Sequence, residues 1–73
     1  MKPGDLIRLK EFSFLGFPNT GHALWSTDGE RKHLGYMNVG DLALVLTSYE
    51  FHSKILLNGG TYMISHTDVV VVR

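Results

Sequence analysis

The chain has 73 residues, with seven basic and seven acidic side chains, zero formal net charge and no cysteine. A length this small allows one domain, spanning residues 1–73, with a modest core whose stability must come from efficient packing or from a partner. The missing cysteines exclude a disulfide framework, a thiolate metal site and a thiol nucleophile, and the charge balance removes the sequence-independent attraction by which most nucleic-acid binders reach phosphate.

"MKPGDLIRLKEF" opens the chain. It holds one lysine and then Pro3, Gly4 and Asp5, without the apolar core and small-residue cleavage site of a signal peptide. No run approaches membrane-spanning length, so no membrane partner is expected. Apolar and β-branched runs are short and punctuated by Gly, Asn and Asp, while no window keeps a helical spacing for three turns; an all-β fold is predicted. The first strand is predicted over Asp5 to Phe12, where Ile7 and Leu9 alternate with Arg8 and Lys10.

The segment Ser13 to Val39 is long for a connection in a compact domain, and such loops carry structure or function. Within it "HALW" runs into the turn residues Ser26 to Glu30 and "HLGYM" follows, which reads as an extra hairpin. "NVGDLALVLTSYE" then gives a strand from Leu42 to Thr47. Its nearly unbroken apolar run predicts cover on both faces.

In "KILLNGGTYMI", Asn58, Gly59 and Gly60 tolerate positive φ between Lys54–Leu57 and Thr61–Ile64, so a tight hairpin is predicted. A turn at Asn58-Gly59 or at Gly59-Gly60 gives the same parity, placing Ile55, Leu57, Tyr62 and Ile64 on the core face. "SHTD" reads as one turn of 3₁₀ helix capped by Ser65, leading into a closing strand Val69 to Val72. Two of its valines face inward. The outer two require cover from the long excursion or from a second subunit. The predicted core is Ile7, Leu9, Ala43, Val45, Ile55, Leu57, Tyr62, Ile64 and two terminal valines.

The succession of strand, long excursion, strand, short link, hairpin, one-turn corner and final strand resembles an SH3-like barrel. "GDLALVL", "KILLNGGTYMI" and "SHTDVVVV" stand where such barrels keep strands two to five. With "KPGDLIRLK" at the start, the chain resembles small SH3-like proteins of bacteriophages and environmental genomes. The resemblance implies a five-stranded, strongly bent antiparallel barrel with a long insertion between strands one and two, and an intracellular, cytoplasmic or phage-associated setting. The motifs by which SH3 domains bind proline-rich peptides are absent: Trp25 is the only tryptophan, and the corner reads Ile64-Ser65-His66-Thr67-Asp68.

Four histidines, His22, His33, His52 and His66, accompany Asp28, Asp41 and Asp68, but no pair of imidazoles has the spacing that shares a face, so neither metal nor cofactor is expected. A small barrel filled by side chains leaves little room for a hydrolytic triad. "GDLALVL" also resembles the second strand of messenger-cleaving interferase toxins, yet the chain has no residues for their further helices, and no enzymatic activity is expected. Arg31, Lys32 and His33 form the basic cluster that a nucleic-acid-binding barrel of the KOW type would use, the alternative reading to a protein partner. The aromatics of the excursion, Phe12, Phe14, Phe17 and Trp25, suit a protein-binding surface, with about half of them expected to close the barrel as a lid. The expected function is a non-catalytic protein-interaction or assembly module, self-associating, whose surface comprises Phe14, Phe17, Pro18, Trp25, Val70 and Val72.

Overall fold

The computed structural model describes residues 1–13 and 15–72. Its strands are β1 (Leu6–Leu9), β2 (His22–Trp25), β3 (His33–Met37), β4 (Ala43–Ser48), β5 (His52–Leu57), β6 (Gly60–Ser65) and β7 (Val69–Val71). Every pairing is antiparallel, in one sheet ordered β3-β2-β6-β5-β4-β1-β7. The fold is therefore all-β, with seven strands where five were expected, because the excursion contributes two. The sheet is not closed: β3 and β7 are its two ends. No helix among the described residues is long and apolar enough to cross a membrane.

The β5–β6 hairpin follows from its turn. Asn58 (φ 50°) and Gly59 (φ 83°) both take the left-handed conformation that a two-residue turn needs to match strand twist. Leu57 then pairs with Gly60 and Ile55 with Tyr62. Gly60 serves another purpose, since a Cβ there would meet the Tyr62 hydroxyl at 2.5 Å. Ile55, Leu57 and Ile64 are buried, and Tyr62 packs against them, as the parity demanded.

Alternation supplies most of the remaining core: Ile7 and Leu9 from β1, Ala43 and Val45 from β4, Val69 from β7, with Val71 packed beside them. Leu46 has no partner on β5, because the register shifts between Val45 and Thr47. An extra residue of this kind bends and twists a strand, which lets a small sheet wrap around its own core. β1 ends at Leu9, short of the predicted Phe12, where the Lys10 amide turns to the Asp68 carbonyl (2.8 Å).

The lid differs from expectation. Phe12, Phe17 and Trp25 are all exposed, while Phe14 lies outside the described residues. Leu24 of β2 and Met37 of β3 fill the core instead. Aliphatic side chains on paired strands can be held at fixed depth, whereas Phe12 and Phe17 flank a strap pinned by a Phe12–Pro18 bridge and a 2.8 Å bond from the Ser13 amide to the Phe17 carbonyl. The corner after β6 is a turn and not a 3₁₀ helix; Ser65 still caps it, its Oγ accepting from the Thr67 amide at 3.3 Å.

Candidate functional site

β2 pairs with β6 at Trp25–Met63. There Ser26 leaves the sheet and bonds across the β2–β3 tip, its amide to the Lys32 carbonyl (2.8 Å) and its hydroxyl accepting from the Lys32 amide (3.0 Å). The same hydroxyl donates to Asp28 Oδ1 (2.8 Å), which also accepts from the Glu30 amide (3.0 Å). The Glu30 amide and the Ser26 hydroxyl together hold the Asp28 carboxyl below its usual range. Lys32 pairs with Glu30 at 2.9 Å. This ring of bonds presents Arg31 at φ 54°, a left-handed position that a non-glycine residue rarely takes.

Opposite the tip, the β4–β5 connection brings Tyr49 against His52, ring centroids 5.2 Å apart. Between them lies a cleft of about 520 Å³, walled by Trp25 and Arg31 on one side, Tyr49 and His52 on the other, and Met63 and Ser65 of β6. Beyond it, Trp25, His33 and Tyr36 continue along the hairpin, with centroid separations of 5.5 and 4.7 Å and interplanar angles of 56° and 73°.

The other half of the outer face is aliphatic. Leu6 pairs with Leu44, which pairs with Leu56, and the Val72 amide bonds to the Leu6 carbonyl at 2.8 Å. A single apolar row thus runs from Val72, just past β7, across β1, β4 and β5. Leu6 is 45% exposed, Leu56 37% and Val72 36%, with Leu42 beside them at 54%. The cover predicted for the outer side of the Leu42 strand is partial: Leu44 and Leu46 are half-buried, while Leu42 is exposed.

The sequence-predicted surface therefore separates. Trp25 belongs to the cleft, Val70 and Val72 to the far end of the sheet, and Phe17 and Pro18 to the exposed strap. Tyr49 and Met63 were not singled out from sequence, and His52 was weighed only as a metal ligand; of the apolar row, Val72 was named, while Leu6, Leu44 and Leu56 were not. Parity along β4 and β5 would have shown the row, since Leu44 and Leu56 stand opposite their inward neighbours.

Beneath this face, among the described residues, the polar Ser53 is fully buried, its hydroxyl meeting His66 Nε2 at 2.6 Å, with Ser48 Oγ at 3.3 Å. Burial pushes His66 below its usual pKa, and a hydrogen bond to the Glu50 main chain opposes this. A neutral imidazole can accept the Ser53 proton. Among the described residues no three histidine or acidic side chains cluster to hold a metal ion. Comparison with protein-family models, curated proteins and solved structures finds no match to this chain.

Proposed function

We propose that this protein is a non-catalytic interaction and assembly module on an SH3-like scaffold. The β2–β3 hairpin, inserted in the chain between β1 and β4 where the resemblance places a long insertion, supports the scaffold, as does the pairing of β1 with both β4 and β7. The observation that carries the function is the apolar row from Val72, just past β7, through Leu6 and the half-buried Leu44 to Leu56, with Val72, Leu6 and Leu56 exposed on one side of the sheet. Solvent-facing aliphatics in register on neighbouring strands form a contiguous patch, and such patches mark interaction surfaces. The hydroxyl–imidazole pair Ser53–His66 gives no support to a hydrolase or nuclease reading, because Ser53 has no surface on which a substrate could be attacked.

The partner proposed for the apolar row is a second copy of the chain. A two-fold axis places the patch against itself, and since Leu6, Leu56 and Val72 are 45%, 37% and 36% exposed, burying each contributes a fraction of the about 1.5–3 kcal/mol of a fully exposed side chain before association costs. Sedimentation velocity across the micromolar range tests it. A dimer is expected that Leu56→Lys or Val72→Lys each weakens at least tenfold; a monomer at every concentration, or a dimer indifferent to both substitutions, refutes it.

A further inference from the structure

We infer that the cleft between the β2–β3 tip and the β4–β5 connection binds a short extended segment of an acidic protein, seating an aromatic or aliphatic side chain against Trp25 and Met63 and a neighbouring carboxylate on Arg31. The inference rests on the interaction-module reading and names a ligand for a surface separate from the apolar row. Size sets the first limit. At about 520 Å³ the cleft is in the range of sites that take a side chain and its flanking backbone, not a folded domain.

Charge sets the second. At the tip, Glu30 is neutralised by Lys32 at 2.9 Å, and Asp28 is turned onto two donors within its own loop. Arg31 is the fixed charge lining the cleft, and it has no ion-pair partner among the described residues. Its guanidinium offers a planar fork that matches a carboxylate in two bonds. The left-handed backbone at Arg31 is held in place by the bonds of Ser26 and Asp28 around it, so the charge is presented from a pre-organised loop and not from a free tail. Ser26, Thr27 and Ser65 add hydroxyls along the same walls, suited to the amides of an extended chain.

A single-stranded nucleic acid is the competing occupant. It needs cations tracking the backbone and aromatic faces on which successive bases stack. Here the rings of Trp25, His33 and Tyr36 stand tilted at 56° and 73° to one another and offer no common stacking plane. The chain also carries no net positive charge. The peptide is favoured on both counts.

Trp25, the single tryptophan, is a built-in reporter for the test. The probes are an end-blocked pentapeptide with phenylalanine between pairs of glutamates, its glutamine and lysine counterparts, and deca-thymidylate, each titrated in low salt. Expected is saturable quenching or shift by the glutamate peptide, about tenfold tighter than by the glutamine peptide, with none from the lysine peptide. Arg31→Asn, which tolerates the left-handed backbone, should lose that tenfold preference; Arg31→Lys should keep most of it, and a far-ultraviolet spectrum confirms that both are folded. No saturation by the glutamate peptide up to millimolar concentration overturns the inference. Equal binding of the glutamate and glutamine peptides also overturns it, while leaving the interaction-module reading intact. Preference for deca-thymidylate, weakening steeply with salt, overturns both.

Discussion

Ser53 is a small polar side chain in a position where every neighbour along β5's inner face is aliphatic, and its hydroxyl is satisfied there by His66 at 2.6 Å, with Ser48 Oγ and Met1 Sδ each at 3.3 Å. Replacing Ser53 by Ala removes the hydrogen bond to the half-buried His66 ring, a loss expected at about 0.5–1.5 kcal/mol by chemical denaturation. The pair also links stability to pH. Because burial lowers His66 in the folded protein, the unfolded chain binds a proton in a range where the folded one does not. Stability is then complete above the ordinary imidazole value of about 6.5 and falls as pH drops through the lowered folded value. Urea midpoints measured from pH 7.5 to pH 5 should decline for the wild type, and the decline should flatten in His66→Gln. An unchanged slope in the variant assigns the effect elsewhere.

At the scale of elements, the two glycines after Asn58 do different work. Gly59→Ala forces a Cβ into left-handed backbone with open space around it, so the cost is conformational, about 1–2 kcal/mol. Gly60→Ala has ordinary backbone but collides with the Tyr62 ring, so it displaces an aromatic from the core edge. Near-ultraviolet dichroism should separate them, with Gly60→Ala altering the tyrosine signal and Gly59→Ala only lowering the denaturation midpoint. This hairpin, and the inward residues of β1, β4 and β7, were legible in the sequence because a two-residue turn and a period of two fix the face of each side chain. Leu24 and Met37 were not. Their strands are short, and Leu34 bulges out where the pairing shifts between Leu24–Gly35 and Trp25–His33, so alternation breaks where it would have pointed to the core. The aromatics drew attention by size, yet burial went to the side chains that pairing could hold in register. The cleft was illegible for a related reason: Trp25, Tyr49 and Met63 lie on three separate segments, and no local pattern joins them.

For the whole molecule, the β2–β3 hairpin is attached unequally to the rest. Its backbone joins the sheet at Trp25–Met63, while Leu24 and Met37 are sunk in the core. Detaching it exposes those two side chains, at about 1.5–3 kcal/mol each, which is less than the unfolding free energy of most domains. Hydrogen exchange should therefore show β2 and β3 amides opening at lower free energy than those of β4, β5 and β6, and Leu24→Ala should widen that gap. Uniform protection across all seven strands would contradict this. The junction has an optical consequence. With the indole of Trp25 at the seam, its emission follows the seam and not the core, so fluorescence should record an earlier transition than the peptide dichroism of the same sample. A denaturation curve taken by fluorescence alone would then understate how firmly the rest of the sheet is held.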